Sequence, residues 1–298
     1  MSREHNVNIF ITGGSGFIGG HLVKALRPEN DVVIYDKKND DDILDINDLT
    51  FAMRDSDIVI HCAAIAGIYS VDRDAHRTMQ TNLIGTNNAL QAAKVNGAKL
   101  FINFSTSEVY GPHIYNGSEQ DMTTQGSIAE SRWLYSVSKL AGEYLAKSYD
   151  IPTVSVRPFN VFGPGQIGEG AIMGMVKRAI LGEPITVYND GTQIRSWCYI
   201  DDFVDAILLI LARQTMFNGN QLFNIGNPQN TITVLNLARL IIKMTDSQSK
   251  IKFAPHPGPE VNVRVPSIDH AKACLGFMPT VTLEGGLEAT IEYYRDEL

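Results

Sequence analysis

Along the first half of the chain, short apolar runs alternate with stretches in which apolar residues recur at helical spacing. The runs at 7–12, 31–35, 58–62, 100–104 and 153–157 are short and predominantly apolar, which is how strands buried on both faces read. Between them, residues 20–26, 49–54, 78–96 and 133–149 carry apolar positions three and four apart and predict helices. Alternation of this kind builds an α/β fold, a parallel sheet wound on both faces by helices.

Beyond residue 163 the pattern loosens. Gly163, Gly165, Gly168 and Gly170 mark an irregular loop, followed by a helix at 171–181, a strand at 185–188 and an Asn-Asp-Gly turn at 189–191. A strand at 221–225, a helix at 234–244, a proline-rich loop at 255–259 and a last helix at 286–295 complete the reading. The organisation expected is a sheet domain over 1–163 and a smaller mixed domain over 164–298, with segments near 192–225 returning to the sheet. No internal repeat or low-complexity linker interrupts it.

The first apolar run breaks at Gly13, Gly16 and Gly19 and resumes at helical period. A strand, a glycine turn and a helix start in that order form an anion site. Gly13 permits the turn, Gly16 lets backbone approach a pyrophosphate, and Gly19 lets helix and strand pack closely. Phe17 and Ile18 fall where the helix presents its free N–H groups. The fold expected is therefore a Rossmann-type doubly wound sheet with a dinucleotide at its switch point. Asp36 ends the second strand a little under twenty residues past Gly19. An acid there bonds ribose hydroxyls and repels a 2′-phosphate, so the cofactor expected is NAD. Lys37 and Lys38 follow directly and work against that preference.

Composition narrows the partners. A chain of 298 residues, 44% hydrophobic and 19% charged, has the make-up of an ordinary soluble protein with a full core. A net charge of −8 with no basic stripe excludes a nucleic-acid partner, although local arginines still suit an anionic small molecule. Cys62, Cys198 and Cys274 are odd in number and far apart, and neither they nor the seven histidines show metal-ligand spacing. No disulfide framework and no metal site are expected, which fits a cytoplasmic protein. The polar start, residues 1–6, lacks a signal-peptide core, and the longest apolar helical run, near 203–212, contains Asp205 and is too short for a bilayer.

Tyr135 and Lys139 lie four apart in a predicted helix, hence on one face. A neighbouring ammonium favours phenolate over phenol and makes the tyrosine a usable base toward an alcohol hydroxyl. The preceding strand ends in Ser105, Thr106, Ser107 and Glu108, beyond the carboxyl end of the sheet where ligands of such folds bind.

With these residues in place, the chain resembles the extended short-chain dehydrogenase/reductases, in particular their nucleotide-sugar epimerase/dehydratase branch. The resemblance rests on the glycine loop, Asp36, Asp45-Ile46, His61-Cys-Ala-Ala64, Asn82-Leu-Ile-Gly-Thr86, Ser105-Thr-Ser-Glu-Val-Tyr-Gly111, Tyr135/Lys139, Arg157-Pro-Phe-Asn-Val-Phe-Gly-Pro164, Arg195 and Arg264-Val-Pro-Ser-Ile268. It implies that Asp45 and Ile46 contact adenine, that Ala63, Ala64, Asn82 and Phe159 line the cofactor cleft, and that Lys139 also holds the nicotinamide ribose. It implies that Thr106 bonds the sugar hydroxyl being oxidised, and that Asn160, Arg195 and Arg264 grip the diphosphate of a nucleotide sugar, expected to be a UDP-sugar. A homodimer formed through helices 78–96 and 133–149 is implied as well.

The shared chemistry is transient oxidation at sugar C4. A 4-epimerase stands first in this reading, a UDP-glucuronate-type decarboxylase is the alternative, and a 4,6-dehydratase follows. Dehydration loses ground because Ser107 occupies the place of an acid. Glu108 reads either as a carboxylate that shapes the pocket or as an acid/base at C5. A catalytically silent NAD-binding protein is the reading from a different class, and the intact Thr106, Tyr135 and Lys139 speak against it.

Overall fold

A computed structural model describes residues 7–256 and 258–298. The polar start at 1–6 and Pro257 of the proline-rich loop lie outside the described residues.

Six strands form one parallel sheet in the order Asn220–Ile225, Thr153–Pro158, Leu100–Phe104, Ile58–His61, Asn8–Thr12, Asp31–Tyr35. Side chains alternate across it, as the pleat requires. Ile9, Ile11, Ile58, Ile60, Leu100 and Ile102 enter the core on one face, and Phe10, Val59 and Phe101 enter the core on the other. The first of these cores continues into the second half of the chain through Phe203, Ile207, Leu237, Leu287 and Tyr294. A second, four-stranded sheet runs Thr231–Thr233, Ile194–Ser196, Val263–Pro266, His113–Gly117. Among the described residues no helix is long and apolar enough to cross a membrane, and no group of three or more His, Cys, Asp or Glu is placed to hold a metal ion.

Several elements differ from expectation in informative ways. The segment 78–96 is broken: helix Ala75–Met79 passes through a π turn, Gln80–Ile84, into helix Gly85–Val95. The wide turn carries Asn82, whose amide pairs with the backbone of Ile65 in both directions, at 2.8 and 3.0 Å. Such insertions in a helix mark positions where a side chain is pulled into a specific task. The helix expected at 49–54 runs Ile46–Ala52, because the Asp45 carboxylate accepts the N–H groups of Asn47 and Asp48 and starts it earlier. The helix that carries Tyr135 and Lys139 spans Arg132–Ser148.

The strand order reverses between Asn8–Thr12 and Ile58–His61, and the glycine loop sits at the carboxyl end of that junction. Gly13 has φ +71°, and a Cβ on Gly19 would lie 2.2 Å from the Gly13 carbonyl oxygen. Gly20, one residue on, has its nearest such atom at 3.9 Å. Gly19→Ala should therefore cost about 1–3 kcal/mol by overpacking against backbone. Gly20→Ala should be neutral or raise stability by about 0.5–1 kcal/mol. Urea denaturation of the two variants checks the contrast, and equal stabilities would refute this account of the loop.

Candidate active site

The glycine loop closes one end of a cleft of about 260 Å³ lined by Gly13, Gly16, Asp36, Ile43, Ala63 and Ala64, among others. The loop is a cradle that side chains would fill: a Cβ on Gly13 would stand 2.6 Å from the Ala63 nitrogen, and one on Gly16 would stand 3.2 Å from the Gly13 oxygen. Gly16 is also the N-cap of helix Phe17–Leu26, so the N–H groups of Phe17 and Ile18 lie at its positive end. These features fit a dinucleotide pyrophosphate. The Asp36 carboxylate accepts the N–H groups of Ser15 and Lys38, each at 2.9 Å, which holds it at the cleft wall. Lys37 is paired with Asp42 and Lys38 bonds the Ser15 carbonyl, so both ammonium groups have partners inside the protein.

Asp42, Ile43 and Leu44 line the cleft, whereas Asp45 and Ile46 begin the next helix. The capping demand of that helix takes the Asp45 carboxylate. Phe159 is fully buried against Val109 and Tyr110 and lies behind the site as packing. Asn82 is buried and donates to Ser138 and to the Ile65 carbonyl, holding the backbone that follows Ala64.

Deeper in, buried His61 bonds Thr12 at 2.7 Å and Thr86 at 3.0 Å, and burial pulls it down to about 3, so it is neutral. Burial likewise pushes the Cys62 thiol up to about 12. Lys139 is pulled down to about 8 by burial, with Cys62 and Glu143 opposing. Tyr135 is pushed up to about 12 by burial and by the charge of Glu108, while the Thr106 hydroxyl acts the other way. Lys139 is expected to favour the phenolate, and burial and Glu108 act against it. The influences acting on Tyr135 come from the far side, from Glu108 and Thr106 on the turn after strand Leu100–Phe104.

Glu108 is the electrostatic centre of that turn. It is ion-paired with Arg264, and Nη2 of Arg132 lies 3.4 Å from each of its oxygens. Burial works against its charge, but Arg264, Arg132 and Arg195 together hold it below the usual carboxylate range. Arg264 is 1% exposed and spends its other contact on the Gly111 carbonyl. The sequence places it on a diphosphate; here it is tied to Glu108, and its Nε has no partner. Arg195 does line a cavity, one of about 320 Å³ shared with Arg132, Tyr188, Gln193 and Trp197. Burial and the nearby Arg264 pull it down to about 10. Asn160 donates to the Ser196 carbonyl at 2.8 Å, next to Arg195 in sequence.

Arg132 was missed by the sequence reading. It lies three residues before Tyr135, hence on the same helix face, and that spacing was the available signal. It lines both the larger cavity and a smaller one of about 150 Å³ formed with Gly67, Val71, Glu108 and Tyr135. The Nε of Arg132 is buried without a hydrogen-bond partner. Helix Ile68–Arg73, also missed, covers the smaller cavity with Val71. It is tied across the cleft by Glu169, which accepts the N–H groups of Tyr69 and Ser70, and by Tyr69 to Tyr188 at 3.2 Å.

Comparison with known proteins places this geometry. The model of the NAD dependent epimerase/dehydratase family matches residues 9–226. The chain is 34% identical to UDP-N-acetyl-alpha-D-glucosaminuronate decarboxylase of Bacillus cytotoxicus, across 96% of this chain and 97% of that protein. It is 32% identical to UDP-glucuronic acid decarboxylase 1 of Xenopus tropicalis, across 100% of this chain and 74% of that one. Among solved structures it resembles the UDP-glucuronic acid 4-epimerase of Bacillus cereus in complex with UDP-glucuronic acid and NAD, with a TM-score of 0.88, 28% identity, and 98% and 100% of the two chains covered. It is equally similar to the UDP-glucose 4-epimerase of Thermotoga maritima with UDP-glucose, with a TM-score of 0.88, 29% identity, and 98% and 99% covered.

The ion pair makes a stability prediction with a definite sign. A carboxylate held below its unfolded value near 4.5 contributes stability above that pH, and the contribution is lost as pH falls through the folded value. Glu108→Gln should be less stable than the native protein at pH 7, and the gap should close between about pH 5 and pH 3. Denaturant titrations of both proteins across that range check it, and a gap independent of pH would contradict the assignment.

Proposed function

This chain belongs to the NAD-dependent epimerase/dehydratase family, and we propose that within it the protein is a UDP-hexuronate decarboxylase. The observation that carries the reading is Glu108, kept ionised by Arg264 and Arg132 beside Tyr135. A 4,6-dehydratase needs an acid to protonate the departing C6 oxygen. A carboxylate pinned by guanidinium groups is a poor proton donor, and the neighbouring Ser107 hydroxyl is a worse one. Decarboxylation needs no such acid, since a carboxylate two carbons from a ketone leaves as carbon dioxide once the ketone has formed.

The chain's own groups then take the following parts. NAD, when bound, supplies a hydride acceptor at sugar C4 and afterwards the donor. Tyr135 removes the C4 hydroxyl proton as its phenolate, a form that the positive charge of NAD, when bound, and of Lys139 would favour, and the Thr106 hydroxyl orients the same oxygen. Lys139, charged at neutral pH, lies one helical turn away and holds the nicotinamide ribose. In the 4-keto sugar the C5–C6 bond breaks, carbon dioxide departs, and the electron pair moves to the C4 oxygen as an enolate. Arg132 and Arg264 keep that region positive, which favours the enolate. One proton is taken up at C5, and the ketone is reduced again as Tyr135 returns its proton. The buried Nε of Arg132 is a donor for a substrate oxygen, and Arg195 suits the diphosphate in the larger cavity.

The relatives named as decarboxylases support this order of preference. The second reading is 4-epimerisation, which the sequence reading ranked first and which the similarity to 4-epimerase structures favours. Incubation with UDP-glucuronate and UDP-N-acetylglucosaminuronate, followed by mass spectrometry, separates the two. Loss of carbon dioxide is the expected result, and an isomer of unchanged mass would select epimerase. Tyr135→Phe should lower turnover by about a hundredfold to ten-thousandfold while NAD still binds in calorimetry.

A further inference from the structure

Behind the catalytic turn lies a second buried ion pair that neither the sequence reading nor the chemistry above uses. Glu143 sits two helical turns beyond Tyr135 and one beyond Lys139, on the same face. Its carboxylate takes both ends of the Arg157 guanidinium, Oε1 from Nε at 2.8 Å and Oε2 from Nη2 at 2.7 Å. The same Oε1 accepts the hydroxyl of Ser105. Glu143, Arg157 and Ser105 are all buried. Arg157 continues to the Tyr110 hydroxyl at 2.7 Å, and that hydroxyl donates to Asn224 at 2.8 Å.

We infer that Glu143 is a positioning residue of the reaction: clamped by Arg157, its carboxylate holds Ser105, and so the Thr106–Glu108 turn, in register with the helix face that carries Tyr135 and Lys139. Three considerations support this. Ser105 is covalently adjacent to Thr106, so a bond that restrains the one limits where the other can lie. The pair is bidentate, the geometry that fixes orientation as well as distance. The network also has a direct line to the ammonium. The titratable groups facing Lys139 are His61 and Cys62 at the end of strand Ile58–His61, and Tyr135 and Glu143 on its own helix. His61 is neutral, and Cys62 and Tyr135 are protonated at neutral pH, so ion-paired Glu143 alone brings a negative charge.

The inference rests on the proton-transfer roles of Tyr135 and Lys139 and is independent of whether carbon dioxide is lost. The test is steady-state kinetics of Glu143→Gln and Ser105→Ala on whichever UDP-sugar the native protein turns over, with thermal melting recorded for each. Glu143→Gln keeps the shape and removes the charge. Its kcat should fall at least about tenfold, with KM within about twofold, as expected for contacts felt only in the transition state. The alkaline limb of its kcat–pH profile should move to lower pH, because Lys139 then loses the charge that opposes its deprotonation. Ser105→Ala leaves the ion pair intact, so its kcat should fall while the limb stays in place. Native kcat in a folded variant, or a Glu143→Gln profile scaled down with its limb unmoved, would overturn the inference. If Glu143→Gln does not fold, Ser105→Ala decides alone, its kcat falling or holding at an unchanged melting temperature. A native protein inactive on every UDP-sugar would instead count against the proposed function, so the two failures are distinguishable.

Discussion

A buried guanidinium requires a counter-charge, and the site is arranged around meeting that requirement twice. Arg264 is almost wholly enclosed and is neutralised by Glu108; Arg157 is nearly as enclosed and is neutralised by Glu143. Both carboxylates belong to the surroundings of one short turn, the four residues Ser105 to Glu108 after the strand Leu100–Phe104. Desolvation offsets most of the Coulomb attraction in such pairs, so they add little net stability, whereas removing one partner strands a charge. What they contribute is orientation. Arg264 comes from the smaller sheet and Arg157 from the larger, so the turn is gripped from both.

That grip explains how a parallel sheet with open carboxyl ends becomes an enclosed site. The glycine loop, Ala63 and Ala64 form the cleft at the strand-order reversal, which is where ligands of open α/β sheets bind. Tyr135 and Glu108 line the next cavity along, and Arg132 belongs both to it and to the larger cavity that holds Arg195. A dinucleotide at one end and a nucleotide sugar at the other would thus meet at Tyr135. Helix Ile68–Arg73 covers that point, and its ties run to Glu169 and Tyr188 in the second half of the chain. The cover over that cavity is therefore held by contacts between the two halves of the chain.

Much of this was legible from the residues alone, for identifiable reasons. The sheet was readable because strands buried on both faces leave continuous apolar runs, and the loop because only glycine fits where Gly13 and Gly19 approach backbone. Tyr135 and Lys139 were readable because helical spacing converts directly into a shared face. Long-range partners were not legible. Nothing local says that Arg264 meets Glu108 across 156 residues, so its ion pair could not be read beside its expected place on a diphosphate. Asp45 misled for the opposite reason. Its helix-capping role is local, but it stands three residues from Asp42, and acidic neighbours of one type look alike until the chain's path is known. The π turn at Asn82 was invisible because helical period continues through it.

The charge arrangement also bears on which reaction follows oxidation at C4. All branches of this chemistry share the phenol, the ammonium and the dinucleotide, so those groups cannot separate them. They part at C5 and C6, where a dehydratase needs a proton donor, and an epimerase acting on a uronate must hold a carboxylate that is prone to leave. Holding it calls for a free cation beside C6. Here Arg264 is bound to Glu108 and Gly111 and Arg132 is shared with Glu108, and each guanidinium keeps one unpartnered Nε. A carboxylate arriving beside Glu108 meets a region whose cations are already partly neutralised. The same cations stay close enough to stabilise the enolate that forms when it departs. On the decarboxylase reading proposed above, partial neutralisation of these cations would restrain the leaving group weakly, and the charge they retain would stabilise the enolate.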